Sequence, residues 1–131
     1  MKIKVKETLC TGCKTCELAC SAAHSGEFNP ARSRLHVENN SLLGQSKVNL
    51  CRECKNPLCV EACAYGALSK ELGSGVVLLD PKKCINCLAC VAACPFQAIF
   101  VDPLDKLPLI CDNCGGDPLC VKFCHHRALL W

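Results

Sequence analysis

The sequence predicts an α+β fold in which short antiparallel strands and short helices build two small units, one nested inside the other. Three observations predict it. Sixteen of the 131 residues are cysteine, and they fall into four groups of four with none left over. A ten-residue pattern recurs three times, its copies beginning 31 and 30 residues apart. The stretches between the groups read as brief strands bounded by polar turns, too short for long helices.

The first group is Cys10, Cys13, Cys16 and Cys20, spaced C-x2-C-x2-C-x3-C. The third, Cys84, Cys87, Cys90 and Cys94, repeats that spacing with Pro95 behind it. The second (Cys51, Cys54, Cys59, Cys63) reads C-x2-C-x4-C-x3-C, and the fourth (Cys111, Cys114, Cys120, Cys124) reads C-x2-C-x5-C-x3-C. Groups one and three match the run that holds a [4Fe–4S] cubane, and the physical reason is geometric. Three thiolates two residues apart lie on one tight loop and occupy three corners of a cube. The fourth, about one helical turn further on, points away and ligates the neighbouring cluster. Zinc is the main rival, because four all-cysteine zinc sites would also consume sixteen thiolates. Zinc sites pair two C-x2-C knuckles across a longer loop, however, which is not this pattern. Eight disulfides would suit a secreted mini-scaffold, and nothing in the sequence points to export.

The repeat fixes the order of the units. Residues 59–68 (CVEACAYGAL), 90–99 (CVAACPFQAI) and 120–129 (CVKFCHHRAL) share C-V-x-x-C-x-x-x-A-[L/I], one supersecondary unit used repeatedly. Group one keeps the cysteines of this pattern and lacks its Ala-Leu end. Between groups two and three, Ala67 and Leu68 lead into a polar turn holding Gly73 and Gly75, and residues 76–79 return as a strand. Group one follows a strand over 2–6 with Ile3 and Val5 on one face and Lys2, Lys4 and Lys6 on the wet one, and group four precedes Leu129, Leu130 and Trp131. The outer groups each supply what the other lacks. The expectation is therefore nested pairing: an outer unit of residues 1–50 plus 104–131, and an inner unit of 51–103. Sequential pairing, one with two and three with four, is the alternative.

Under nesting, Cys10, Cys13, Cys16 and Cys124 hold cluster 1, and Cys111, Cys114, Cys120 and Cys20 hold cluster 2. Cys51, Cys54, Cys59 and Cys94 hold cluster 3, and Cys84, Cys87, Cys90 and Cys63 hold cluster 4. Residues 21–50 form the long connection, with a short strand over 35–38 and a polar turn through Asn39 to Ser41. His24 and His36 read as ordinary loop or strand residues, and His125 and His126 as surface or supporting side chains behind the last ligand. Arg52, Lys55, Lys82, Lys83 and Lys122 stand beside ligands, and two readings are open: charges that favour reduced clusters, or ordinary solvated surface.

Composition narrows the function further. With the cysteines set aside, about 38% of the chain is apolar, thin for a self-sufficient core. The longest uncharged aliphatic run covers only 76–79, which excludes a membrane span. The start MKIKVKETLC has no apolar signal-peptide segment. A formal charge of +3 gives no reason to expect nucleic acid. Sixteen thiolates and four doubly charged cubanes turn that +3 into about −5 for the loaded protein. There is no phosphate-binding glycine loop and no hydrolase or zinc-protease motif, so no catalytic site is expected.

These motifs resemble the four-cluster, ferredoxin-like iron–sulfur subunits of molybdenum and tungsten oxidoreductases and some hydrogenases. The resemblance covers nearly the whole chain, with CKNPLCVEAC and CDNCGGDPLC similar to the second and fourth motifs of that family. It implies two nested bacterial-ferredoxin-like units around four [4Fe–4S] clusters and the ligand sets given above. The stretch CTGCKTCELACSAAHSGEFNPARSRLHV is similar to small subunits paired with tungsten enzymes of the aldehyde ferredoxin oxidoreductase type, including relatives that reduce aromatic-ring thioesters. Ser21, Ala64 and His125 stand where family members often carry proline after the fourth cysteine. The resemblance implies an electron relay in a reducing, anaerobic cytoplasm, serving a large catalytic subunit and a ferredoxin, hydrogenase or flavin partner. A free-standing polyferredoxin, a hydrogenase or formate dehydrogenase subunit, and a zinc-stabilised interaction module are the alternative readings.

Overall fold

A computed structural model describes residues 2–131 apart from Ser41 and Leu43. In chain order the elements are β1 (Lys4–Val5), α1 (Thr15–Ser25), β2 (His36–Asn40), β3 (Gln45–Asn49), α2 (Leu58–Ala62), β4 (Leu68–Lys70), β5 (Val77–Leu79), α3 (Ala89–Ala93), β6 (Phe100–Val101), β7 (Pro108–Leu109), α4 (Leu119–Lys122) and β8 (Leu129–Leu130). The strands form antiparallel pairs: β1 with β8, β2 with β3, β4 with β5, and β6 with β7. The α+β class and the short elements follow the expectation. The first strand is shorter than the predicted 2–6, and the strand predicted over 35–38 starts one residue later, as β2 at His36, in a β2–β3 hairpin whose second strand carries no alternation strong enough to announce it. Asn39 lies in β2 rather than in a turn, and the predicted turn's end at Ser41 lies outside the described residues.

The recurrent ten-residue pattern is one backbone device repeated. Three residues after the fourth cysteine, Gly66 (φ 65°), Gln97 (φ 51°) and Arg127 (φ 55°) all take left-handed conformations. Each closes a turn by donating its amide to the carbonyl of Cys63, Cys94 or Cys124 at 3.2–3.4 Å. The turn delivers the next two residues inward. Ala67, Ala98 and Ala128 are 1–2% exposed, and Leu68, Ile99 and Leu129 are 2–5% exposed. Ala64 and His125 make this turn as Pro95 does. Ser21 does something different, because α1 continues through it to Ser25. A proline there would remove a helix-interior donor, whereas the fully buried Ser21 hydroxyl donates to Leu18 O at 3.0 Å and accepts from the Asn29 amide at 3.1 Å. Helix α1 ends at left-handed Gly26, whose amide reaches Ala22 O at 3.1 Å, a common helix stop.

The unequal cysteine gaps have a matching cause at the helix starts. In groups one and three the residue before the helix, Lys14 or Leu88, is left-handed, which turns the chain directly from loop into helix. In groups two and four the longer gap ends on Pro57 or Pro118 in extended conformation. Two apolar centres result. One gathers Ile3, Leu35, Val37, Val48, Leu50 and Leu129 around Cys16, Cys20, Cys111 and Cys120. The other gathers Leu68, Val77, Ile99 and Ile110 around Cys90. Cys51 packs against both. Helix α1 packs on α4, and α2 on α3.

Asp102 ties these parts together. Arg32 donates to it from Nε at 3.0 and 3.2 Å and from Nη2 at 3.0 Å, and the Leu104 amide donates at 2.9 Å. Burial opposes its charge, but the Leu104 amide and the Arg32 guanidinium outweigh that and lower its pKa. A lowered carboxylate pKa stabilises the fold above the ordinary carboxylate range, and the contribution disappears as pH falls through the folded value. Asp102→Asn should therefore destabilise the loaded protein by about 2–3 kcal/mol at pH 7. It should also flatten the acid-side decline in a plot of thermal bleaching midpoint against pH. An unchanged acid limb would contradict this assignment.

Candidate iron–sulfur centres

None of the sixteen cysteines forms a disulfide, and only Cys13 and Cys87 are exposed. Each C-x2-C loop turns on a left-handed residue before its second cysteine: Gly12 (φ 75°), Glu53 (φ 49°), Asn86 (φ 63°) or Asn113 (φ 57°). Gly12 needs to be glycine for a second reason, because a Cβ there would overlap the side chain of Asn39, which donates to Gly12 O at 3.3 Å. The loops aim amide groups at sulfur. Arg34 N–H reaches Cys20 Sγ at 3.2 Å, Asn86 N–H reaches Cys84 Sγ at 3.4 Å, and Ala98 N–H reaches Cys94 Sγ at 3.4 Å.

The thiols approach one another across the four groups. Cys63 lines one apolar pocket together with Cys84, Cys87 and Cys90, and burial first, then the charges of Cys84 and Cys63, raise Cys90. Burial and then the charges of Cys94 and Cys54 raise Cys59. Cys51 is pushed up to about 11 by burial and by Cys59 and Cys54. Burial raises Cys120, with added effects from Cys111, Cys20, Cys114 and Cys16. Cys111 is pushed up to about 12 by burial, with Cys51 and Cys20 contributing. Cys16 rises to about 12 through burial, then through Glu17, Cys10 and Cys13. Cys124 and Cys10 pack against the same core as Cys16.

This donor set fits iron–sulfur clusters. Buried thiols that mutually raise one another's pKa stay protonated in the bare chain, and a cationic iron centre replaces those protons. All-sulfur donation matches [4Fe–4S] ligation, and N–H donors to sulfur are among the recognised means of tuning it. Cys20, like Cys13 and Cys63, goes the other way: burial would raise it, but His24 and the Arg34 amide lower it overall.

The partners of these loops are what sequence reasoning missed. His24 is not an ordinary loop residue. It sits in α1, with Nε2 2.9 Å from Asp112 Oδ1 and Nδ1 2.9 Å from Cys20 O. Asp112 first, and then Cys20, raise it to about 10, and Asp112 falls in turn to about 2. Arg34 also reaches Asp112 at 3.2 Å. His36 does lie in a strand, but its Nδ1 is 3.0 Å from the buried carboxylate of Glu17, which also accepts the Val37 amide at 3.0 Å. Its ring meets Phe100 edge-on at 4.2 Å between centroids. Asn113 donates to Glu53 and so links the loops of groups four and two. Among the residues picked out beside ligands, Arg52 lies over the Phe96 ring at 4.9 Å, and Lys122 pairs with Asp117 at 2.7 Å.

Iron and sulfide held by such loops have one general use, accepting and releasing single electrons, and the chain is an iron–sulfur electron-transfer protein. It belongs to the 4Fe-4S dicluster domain family: one model of that description matches residues 45–131 and another matches residues 9–68. The chain is 40% identical over 123 residues to the polyferredoxin-like subunit of aliphatic sulfonate oxidoreductase from Pyrococcus furiosus, covering 92% of this chain and 70% of that one. It is 38% identical over 122 residues to the beta subunit of NADH-dependent phenylglyoxylate dehydrogenase from Aromatoleum evansii. That alignment takes in 92% of this chain and 27% of the relative's length. Among solved structures it resembles a chain of the active-site complex BamBC of benzoyl coenzyme A reductase. The TM-score is 0.58 at 30% identity, over 98% of this chain and 76% of the other. No helix among the described residues is long and apolar enough to cross a membrane.

Proposed function

We propose that this chain relays electrons between a tungsten-containing catalytic subunit of the aldehyde ferredoxin oxidoreductase type and a second redox partner, a ferredoxin, hydrogenase or flavin subunit, in the cytoplasm. The observation that carries the catalytic partner is the likeness to the benzoyl coenzyme A reductase complex over almost the whole chain. It agrees with the resemblance of the first motif to small subunits of tungsten enzymes, some of which act on aromatic-ring thioesters. When bound, the clusters supply four one-electron sites. The chain's own residues space those sites and direct amides at their sulfurs.

The nested ligand sets and the division into an outer unit (1–50 plus 104–131) and an inner unit (51–103) belong to this proposal. Three observations favour them: the pairing of β1 with β8, the packing of α1 on α4 and of α2 on α3, and the cross-group thiol neighbours Cys63–Cys90, Cys94–Cys59 and Cys20–Cys120.

Anaerobic purification of the tagged chain from its native source tests the partner. A stoichiometric large subunit containing tungsten supports the reading. A fully competent lone chain would make it a free-standing polyferredoxin, and a large subunit with nickel or molybdenum would move it to the hydrogenases or formate dehydrogenases.

A further inference from the structure

The strand that opens the chain borders a groove of about 610 Å³ whose wall carries Lys2, Lys4, Lys6 and Arg52 against one carboxylate, Glu7, and whose lining includes Cys51. All four cations are exposed. None of them belongs to an ion pair among the described residues, whereas Arg32, Arg34 and Lys122 are each matched to an aspartate. Arg52 rests on an aromatic ring, which leaves its charge uncompensated. The antiparallel pairing of β1 with β8 holds this edge in place, with Lys4 opposite Leu130 and the Lys6 amide bonded to Ala128 O at 2.7 Å.

We propose that this groove is the docking surface for an acidic one-electron carrier protein, which exchanges its electron with the cluster ligated by Cys51. The inference rests on the electron-transfer reading above. Charge complementarity selects the partner, because unpaired cations facing one carboxylate attract an acidic surface and hasten encounter. Lys4 lies in β1, with Lys2 two residues before it and Lys6 directly after the strand, and Arg52 joins them along the groove. That is a strip matched to a protein surface, wider than a single small anion needs. Position selects the role. Cys51 packs against both apolar centres. A carrier seated here therefore meets the relay where its two halves join, rather than at an end. In the exchange the reduced carrier loses one electron and the relay gains one, with no bond broken and no proton moved.

The test compares two reductants of the loaded full-length protein by anaerobic stopped flow: a reduced acidic ferredoxin and the methyl viologen radical cation. At low salt the triple variant Lys2→Glu, Lys4→Glu, Lys6→Glu should react with the ferredoxin about tenfold or more slowly than the parent. The parent's rate should fall with added salt towards that of the variant, and a triple arginine variant should keep the parent's rate. Viologen should reduce both proteins fully, and iron content should match. A ferredoxin rate unchanged by charge reversal would overturn the docking site. So would a reversal whose only effect is loss of a large subunit or of oligonucleotide binding. If neither viologen nor a stronger reductant such as titanium(III) citrate reduces any cluster of the parent, the relay reading fails, and the docking site falls with it.

Discussion

Stripping iron from the loaded protein with a chelator under reducing, anaerobic conditions should collapse its far-ultraviolet signal and the dispersion of its NMR spectrum, and iron with sulfide should restore both. The reason lies in what fills the centre. Among the described residues, helix α1 is the longest element at eleven residues, and every sheet has two strands. Neither helices this short nor isolated two-stranded pairs persist alone in water. One apolar centre counts Cys16, Cys20, Cys111 and Cys120 among its buried members, and the other counts Cys90. Removing the clusters leaves those thiols facing voids that too few apolar side chains can close. Binding free energy at the metal is then folding free energy. A well-dispersed spectrum from the iron-free chain would show that the polypeptide folds unaided.

The double variant Cys63→Ala, Cys94→Ala separates nested from sequential pairing, and half of the cluster content depends on it. Nesting makes these two cysteines the crossed ligands of the inner pair, so both inner clusters each lose one ligand and the outer pair keeps all eight of its own. The two surviving clusters are then neighbours, and the fully reduced variant should give the broadened, interacting electron paramagnetic resonance of a coupled pair. Sequential pairing removes one ligand from one cluster of each pair instead, and the survivors would give simple, uncoupled signals. The same variant also tests the pocket in which Cys63 joins Cys84, Cys87 and Cys90. If that pocket is a cluster site, the loss should fall there in preference to Cys13 and its neighbours.

The donors and the recurring turn were legible because they are local. A thiol every three residues, and C-V-x-x-C-x-x-x-A-[L/I] three times over, encode a loop, one helical turn and a buried Ala-Leu step without reference to anything distant. The unequal gaps of groups two and four were visible too, although their meaning, a proline entry in place of a left-handed one, needed backbone angles. The interactions that hold the loops against one another were not legible. His24 and Asp112 are 88 residues apart, Asn113 and Glu53 are 60 apart, and Glu17 and His36 are 19 apart. None sits in a periodic pattern, so each reads in isolation as an ordinary surface residue. The extension of α1 past Cys20 was hidden for another reason: residues 21–50 read as connection, whereas the buried Ser21 hydroxyl bonds Leu18 O and the Asn29 amide as the helix runs on to Ser25. Likewise, Lys2, Lys4 and Lys6 read from sequence as the wet face of a strand. Only the fold brings Arg52 and Cys51 alongside them.

Anaerobic iron and acid-labile sulfide analysis of the full chain tests the four-cluster relay most directly. Four cubanes require about 16 iron and about 16 sulfide per chain, in a brown protein that dithionite bleaches. A colourless protein carrying about four zinc ions and no sulfide would contradict it.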